Sequence, residues 1–147
     1  MQSFTFRLET LLKFRKMQKE QAQIAFWQAT NQFQVEKQKL VELEIKLSQN
    51  IEQLRNYQQD ALTIETLRAY QYYFEKIKYE IAKQNESVLA SDEKRKECLR
   101  NLEEAVKKHK IVEKFREKKL QHYQDEMIKE EQKMLDEIGL QLYVREN

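Results

Sequence analysis

The 147-residue sequence contains no proline, a single glycine, Gly139, and a single cysteine, Cys98. Proline and glycine build tight turns and irregular loops, so their near absence argues against a sheet protein or a globular fold with many connections. One cysteine excludes a disulfide within the chain and fits a reducing compartment. What remains is the composition of long α-helices.

Long apolar runs are also missing. In residues 1–16, Arg7 and Glu9 interrupt the continuous apolar segment that a secretory signal peptide needs. No stretch approaches the roughly 20 apolar residues of a membrane-spanning helix. The 27 basic and 25 acidic residues leave a formal net charge of +2, too small for a general attraction to nucleic acid or anionic lipid. We therefore expect no direct membrane insertion and no nucleic-acid partner.

The residues that are present follow a heptad repeat. Two tracks of mainly apolar residues run from Leu8 to Ile64, and a second pair of tracks runs from Leu67 to Val112. Charged residues surround both pairs, so each pair forms a narrow seam that needs one partner helix. Beyond Val112 the apolar positions shift by a four-residue stutter. The shifted seam contains Leu120, Tyr123, Met127 and Met134.

The heptad phase breaks in the short segment "DALTIETL", residues 60–67. Thr63 can cap the backbone N–H groups of a helix that begins near Ile64, although Thr66 stands where a capping box has Glu or Gln. The break predicts a chain reversal within residues 58–66, between a first arm at about 3–60 and a second arm at about 64–142. The predicted fold is all-α, an antiparallel two-helix coiled coil that forms a single domain over residues 1–147.

In antiparallel arms, residues that face each other have numbers with a constant sum, and a sum of about 124 aligns the two seams. This register sets large side chains against small ones, as with Phe33 and Ser91 or Phe26 and Cys98. A register slipped by one heptad is the alternative, and it sets Phe33 against Gln84. In either register, roughly 25 residues of the second arm extend beyond the first.

Polar residues interrupt the seam, where we expect them to fix the register at some cost in stability: Arg15, Glu36, Asn50 and Arg95. Cys98 is interpreted as a small apolar seam residue. His109 and His122 lack the spacing of a metal site. The sequence has no glycine-rich loop, and a two-helix hairpin has no enclosed pocket. We predict no metal, no cofactor and no enzymatic activity, so function should depend on surfaces that bind other proteins.

Two surfaces of the second arm could bind a partner. Tyr72 and Tyr79 lie one heptad apart and point away from the seam, and tyrosine is enriched in binding hot spots. Lys107–Lys119 holds seven basic and two acidic residues, whereas Asp125–Glu137 holds six acidic and two basic ones. This division favours electrostatic docking. A nucleic-acid-binding hairpin that uses Lys107–Lys119 is an alternative, but a sustained basic stripe is absent.

Three motifs in order carry a family resemblance: "FTFRLETLLKFRK" at the start, "LTIETLRAYQYYFEKI" at the reversal, and "KFREKKL" followed by the acidic "LDEIGL". With these motifs the sequence resembles the flagellar FliJ family, the small coiled-coil component of the type III protein-export apparatus. The resemblance extends over essentially the whole chain. The glycine-containing loop of some relatives is missing here, so the contact residues near the reversal can be displaced.

The resemblance implies a non-enzymatic stalk. Family members are antiparallel two-helix coiled coils similar to the central stalk of rotary ATPases. They insert into the ring of the flagellar export ATPase, contact the cytoplasmic domain of the membrane export gate, and are described as recycling export chaperones. The expected location is the cytoplasm, peripheral to the inner membrane at the flagellar base. A virulence-type secretion stalk of the same architecture is the main alternative.

The resemblance also implies two sets of binding residues. Export-gate binding is expected near the reversal, where Tyr72 and Tyr79 join the matched positions Tyr70, Tyr73 and Ile77. ATPase binding is expected where the N- and C-terminal segments pair, at Phe4, Leu8, Leu12, Lys118, Lys119 and Leu120.

Overall fold

A computed structural model describes residues 3–57 and 63–146, which form two long helices. Helix α1 is Glu9–Tyr57, of 49 residues, and helix α2 is Ile64–Glu146, of 83 residues. Within the described ranges there is no strand. Contacts between the helices confirm the predicted all-α antiparallel hairpin. The predicted reversal falls mostly on residues 58–62, which lie outside the described residues.

Two compact units make up the chain, and each contains part of both helices. Unit 1 combines Met1–Glu20 with Glu103–Asn147, and unit 2 is Gln21–Leu102. The single domain expected over residues 1–147 stays a prediction, which an unfolding experiment can test.

Helix α1 begins at Glu9, later than the predicted start near residue 3. Residues 3–6 have no regular secondary structure, and the Glu9 N–H donates to the Phe6 carbonyl oxygen at 3.2 Å to close a turn. Phenylalanine and threonine lose side-chain freedom in a helix, so "FTF" has little helical preference. The rings of Phe4 and Phe6 pack instead against α2 residues of unit 1.

Helix α2 begins at Ile64 with the predicted Thr63 cap. The Thr66 N–H donates to the Thr63 hydroxyl oxygen at 3.3 Å, which satisfies one of the free donors of the first turn. The two threonine hydroxyls are 2.7 Å apart and share a hydrogen bond. In a complete capping box a Glu or Gln at this position would bond the N-cap backbone N–H, whereas Thr66 bonds the Thr63 hydroxyl.

The core of unit 2 follows the predicted heptad tracks except at the reversal end, where the predicted seam residues Tyr57, Ile64 and Leu67 are exposed. Ala29, Ile77 and Cys98 are buried, and Ile77 is only 2% exposed. The burial of Cys98 agrees with its interpretation as a small apolar residue. Further seam positions are half-buried: Ala22, Phe26, Phe33, Leu40, Leu43, Leu47, Leu54, Phe74, Ile81, Val88 and Leu102.

Contacts across the seam of unit 2 agree with the predicted register. Glu36 accepts a hydrogen bond from Gln84, and their numbers sum to 120. The Arg95 guanidinium lies 5.2 Å from the centre of the Phe33 ring, and these numbers sum to 128. The two contacts lie one helical turn on either side of 124. The slipped register has a sum of 117 and would place Gln84 against Phe33. The Arg95–Phe33 contact excludes it, because the sum of 128 lies about three helical turns from 117.

The four polar seam residues do not all act across the seam. Arg95 contacts Phe33 in the other helix, and Glu36 bonds Gln84. Arg15, in contrast, donates to Gln18 at 3.0 Å, and the Asn50 amide donates to the Lys46 carbonyl oxygen at 2.8 Å, both within α1. Of the four, only Arg95 and Glu36 contact the other helix, so only they can specify which residues of the two helices meet.

In unit 1 the predicted stutter is present along α2. Val112 is buried, and Arg116 and Leu120 are half-buried at successive four-residue steps before Tyr123 and Met127. Met134 was predicted to continue this seam, and that prediction is wrong because its side chain is exposed. Every residue from 128 to 146 is exposed. Helix α2 therefore continues without cover from other described residues.

Candidate interaction surfaces

The first five turns of α2 present tyrosines to solvent. Tyr72 is 73% exposed and Tyr79 is 60% exposed, and their seven-residue spacing places them on one side of the helix. The Lys83 ammonium lies 4.9 Å from the centre of the Tyr79 ring. Tyr73 is more than one third exposed. We call Tyr72, Tyr73 and Tyr79 the tyrosine surface.

The other two residues of the predicted gate-binding set lie in the seam. Tyr70 is half-buried, and its ring centre is 6.2 Å from those of both Tyr57 and Phe74. Ile77 is part of the buried core, so a partner cannot reach its side chain while the helices are paired. Gate binding by all five residues stays a prediction, but the structure makes only the tyrosine surface freely accessible.

An aromatic cluster joins the N-terminal segment to α2 in unit 1. The Phe4 ring centre lies 5.6 Å from that of Tyr123, and the Phe6 ring centre lies 5.9 Å from that of Phe115. The Arg116 guanidinium lies 5.6 Å from the centre of the Phe4 ring. We call these four aromatic residues the aromatic cluster. It holds the non-helical segment 3–6 against α2.

Arg116 also ties the start of α1 to α2. Its Nε donates to the Glu9 carboxylate at 3.0 Å. Glu9 lies in the first turn of α1, where a carboxylate is favoured by the positive end of the helix dipole. The ion pair therefore stabilises the helix start and the pairing of the two segments together.

Two open clefts flank the aromatic cluster within unit 1. One has a volume of about 640 Å³ and lies between residues 3–8 and the α2 side chains of Phe115, Lys119, His122, Tyr123 and Glu126. The other, of about 500 Å³, is lined by Leu8, Leu11, Ile111, Val112, Lys114, Phe115 and Lys118. Both linings are more apolar than polar and include lysine, and the larger cleft also contains Glu126. Such clefts can accept apolar side chains of a protein partner.

The structure brings the predicted ATPase-binding residues together in unit 1. Phe4 and Lys119 line the larger cleft, and Leu8 and Lys118 line the smaller one. Leu12 and Leu120 are half-buried in the seam. Sequence reasoning missed Phe6 and Phe115, which complete the aromatic cluster. The two-residue spacing of Phe4 and Phe6 was a signal for an extended segment with both rings on one side.

The basic segment Lys107–Lys119 is partly neutralised. Lys108 pairs with Glu104 at 3.6 Å, and Arg116 pairs with Glu9. The Lys119 ammonium lies 5.4 Å from the centre of the Phe115 ring. His109 is buried, with Nδ1 3.3 Å from the Glu113 carboxylate, an ion pair only when the imidazole is protonated. These contacts reduce the charge that is free to attract a polyanion.

In unit 2, the pKa of Asp92 is lowered. Hydrogen bonds from Nε and Nη2 of Arg95, at 3.1 and 2.8 Å, hold the pKa of Asp92 below its ordinary value of 3.8, and the nearby Lys96 ammonium adds to the effect. The carboxylate thus fixes the guanidinium that covers Phe33.

Neither a metal site nor a membrane span is present in the described part of the chain. Residues 3–57 and 63–146 contain no cluster of three His, Cys, Asp or Glu side chains able to hold a metal ion. No helix in these ranges has the length and apolar character needed to cross a membrane.

Comparison with known proteins gives a family match and a related fold. The family model described as "Flagellar FliJ protein" matches residues 4–147. A solved structure described as that of a candidate YscO homolog, CT670 of Chlamydia trachomatis, is similar with a TM-score of 0.59. The sequences are 22% identical, and the alignment covers 96% of both chains. At this identity the likeness shows a shared fold. No curated protein matches the sequence.

Proposed function

Because the chain belongs to the flagellar FliJ family, we propose that it is a non-catalytic stalk of the flagellar type III export apparatus. In this proposal it binds the export ATPase ring and the cytoplasmic domain of the membrane export gate. The observation that carries the proposal is the family match over residues 4–147. The protein would act in the cytoplasm, peripheral to the inner membrane at the flagellar base.

The aromatic cluster and its two clefts are the proposed ATPase contact. They combine apolar surface with the exposed ammonium groups of Lys118 and Lys119. A partner with apolar side chains and carboxylates would fill the clefts and pair with the lysines. Leu12 and Leu120 would act indirectly, because they support the paired segments from within the seam.

The tyrosine surface is the proposed gate contact. Its side chains are large, accessible and carried on a regular helix, so little conformational entropy is lost when a partner covers them. Ile77 and Phe74 would hold this stretch of α2 against α1 and so keep the tyrosines in place. The same surface is available to export chaperones, the third class of partner that we propose.

Two alternatives predict different partners. A virulence-type secretion stalk would have the same hairpin, and the described YscO homolog shares this fold. A nucleic-acid-binding hairpin would use Lys107–Lys119 and would bind DNA or RNA with a steep dependence on salt. The ion pairs of Lys108 and Arg116 argue against it.

Affinity capture from the source cell tests the proposal directly. The full chain should recover the flagellar export ATPase or the gate protein at physiological salt. Recovery of a virulence-type ATPase would support the first alternative. Recovery of nucleic acid without either protein would contradict the stalk function.

A charge-reversal experiment tests the ATPase contact. Lys118→Glu with Lys119→Glu should lower the stimulation of purified export ATPase by at least about fivefold, because the new carboxylates repel an acidic partner. The matched control is Lys46→Glu, an exposed lysine of unit 2 that should leave stimulation unchanged. Equal stimulation by both variants would move the ATPase contact elsewhere on the chain.

A further inference from the structure

Residues 128–146 of α2, the distal segment, form an exposed helix with an apolar stripe. Leu135 is 63% exposed, and Ile128, Ile138 and Leu142 are each at least half exposed. A Cβ added at Gly139 would meet no atom within 4 Å. Helical segments of this length are marginally stable in water without a partner, so covering this stripe would stabilise the helix.

The charge pattern of the distal segment is that of a helix that pairs with another helix. Ile128, Leu135 and Leu142 repeat every seven residues, and Ile138 lies three residues after Leu135 on the companion track. The positions that flank these tracks are uncharged except at the last turn: Met127, Gln132, Met134, Gly139 and Gln141. The opposite side carries the other charged residues: Lys129, Glu130, Lys133, Asp136 and Glu137. A charge-free border beside an apolar stripe is suited to close contact with a second helix.

We propose that the distal segment pairs in antiparallel orientation with the distal segment of a second copy of this chain. Only two charged residues lie on the stripe itself, Glu131 and Arg145, and they determine the orientation. A parallel pair would set each of them against its own copy, which like charges disfavour. An antiparallel pair brings Glu131 of one chain within one helical turn of Arg145 of the partner subunit, so opposite charges approach each other twice.

The antiparallel pair has one register that uses the whole stripe. Leu135 then packs beside Ile138 of the partner subunit at the centre of the interface. Leu142 packs beside Glu131 of the partner subunit, and Ile128 packs beside Arg145 of the partner subunit. Each polar residue thus shares a layer with an aliphatic one, one turn away from its opposite charge. The pairing follows from the distal segment alone, whether or not the proposed function holds.

The interface is small, so association should be weak and dependent on concentration. A pair of short helical segments covers less than the roughly 800 Å² per partner of a standard interface. Sedimentation equilibrium of the full chain from about 10 to about 500 µM should therefore show a reversible monomer–dimer equilibrium. A monomer throughout this range would overturn the proposal and leave the stripe to a different protein.

A substitution pair locates the contact. Leu135→Asp with Ile138→Asp should weaken dimerisation at least about tenfold, because carboxylates would be buried at the centre of the interface. The matched control is Leu140→Asp, which is equally exposed but lies on the opposite side of the helix, and it should leave the dimer intact. Equal weakening by both, or by neither, would contradict the proposal. Circular dichroism of dilute samples should show that each variant keeps the folded hairpin.

Disulfide crosslinking between two cysteine variants tests the orientation. In a Cys98→Ser background, a chain with Leu135→Cys is mixed with a chain with Ile138→Cys under mild oxidation. The antiparallel register predicts that the mixed disulfide exceeds both homodimers, because only these two positions approach within bonding distance. An excess of Leu135→Cys homodimer would mean parallel pairing and would overturn the register.

A charge exchange provides an independent check. Glu131→Lys should weaken the dimer, and Glu131→Lys with Arg145→Glu should restore it, because the attraction between chains returns with reversed signs. Failure of the double substitution to restore association would contradict the assigned ion pairs.

Discussion

Gln84 of α2 donates its side-chain amide to Glu36 of α1, both to the backbone carbonyl oxygen at 2.9 Å and to the carboxylate. The Gln84 amide therefore makes two hydrogen bonds to a single residue of the other helix, Glu36. The Glu36 carboxylate is only 14% exposed and also accepts a hydrogen bond from Gln32. The pair is polar within a mainly apolar seam, which is the arrangement that specifies register in coiled coils.

The Gln84 contact can be tested by two variants. Gln84→Ala should lower the free energy of unfolding by about 1 kcal/mol, because the half-buried carboxylate loses a donor. Leu at both Glu36 and Gln84 should restore or raise stability, since an apolar pair carries no desolvation cost. Urea unfolding followed by circular dichroism measures both. A double variant that is less stable than the wild type would show that the polar pair has a net stabilising effect.

Substitution of Phe74 should affect stability, whereas substitution of the exposed tyrosines should affect binding. Phe74→Ala should lower the free energy of unfolding by up to about 3 kcal/mol, since the ring is only half-buried. Ala at both Tyr72 and Tyr79 should leave the melting temperature nearly unchanged but weaken gate binding by more than about 1 kcal/mol.

The measurements for these variants are thermal melting and affinity for the gate's cytoplasmic domain. Tyr143→Ala is the matched control, because Tyr143 is as exposed as the two tyrosines but lies outside the tyrosine surface. Early melting of the double tyrosine variant would assign those side chains a structural role. Normal melting together with normal affinity would remove Tyr72 and Tyr79 from the gate contact.

Acid should remove the stabilising effect of Asp92. Its pKa is lowered in the folded state, mainly by hydrogen bonding from Arg95, so the folded protein holds the ionised form more strongly than the unfolded chain does. The contribution is therefore complete above the ordinary value of 3.8 and is lost as the pH falls through the lower folded-state value.

Comparison with Asp92→Asn over a range from about pH 6 to about pH 2 tests this effect. The stability difference between the two proteins should be constant at the upper end and should shrink below the ordinary carboxyl pKa. Glu93→Gln, at the neighbouring exposed position, serves as the control for removal of one surface charge. A difference that persists unchanged in acid would mean that ionisation of Asp92 does not contribute.

The paired parts of the two helices should unfold in a single transition. Each unit contains part of both α1 and α2, and helix formation is cooperative along a continuous helix, so loss of one unit should destabilise the other. Calorimetry should give equal calorimetric and van't Hoff enthalpies. Two resolved transitions, of which Ile77→Ala lowers only one, would instead define two domains.

The sequence predicted those parts of the fold that depend on local chemistry. The heptad period placed Ile77 and Cys98 in the core, and cap chemistry placed the start of α2 after Thr63. The pairing of large with small side chains favoured the register with a sum of about 124. The contacts of Gln84 and Arg95 support this register. These inferences succeed because each depends on spacing along the chain or on the volume of facing side chains.

Features that depend on distant contacts were harder to predict. The start of α1 depends on where Phe4 and Phe6 find aromatic partners, more than 100 residues along the sequence. The same limit applies to polar seam residues, because Arg95 reaches the other helix whereas Asn50 bonds its own backbone. Composition does not determine this choice, since it depends on side-chain rotamers and neighbouring atoms.

The predicted gate-binding residues near the reversal rest on two different patterns, and these patterns disagree at Ile77. Family resemblance placed Ile77 among the contact residues, whereas the heptad period placed it in the seam. The structure agrees with the period, because the side chain is 2% exposed. The heptad period alone predicted that Tyr72 and Tyr79 are exposed, and both side chains are on the surface. Whether they bind the gate stays a prediction.

The burial of Cys98 gives the protein an internal reporter of helix separation. The thiol faces the seam of unit 2 and is the single cysteine of the chain, so an alkylating reagent reaches it only when the two helices move apart. The rate of alkylation therefore measures how often the seam opens, without any added label. Comparing that rate in the free chain and in the presence of a partner would show whether binding closes the seam or opens it.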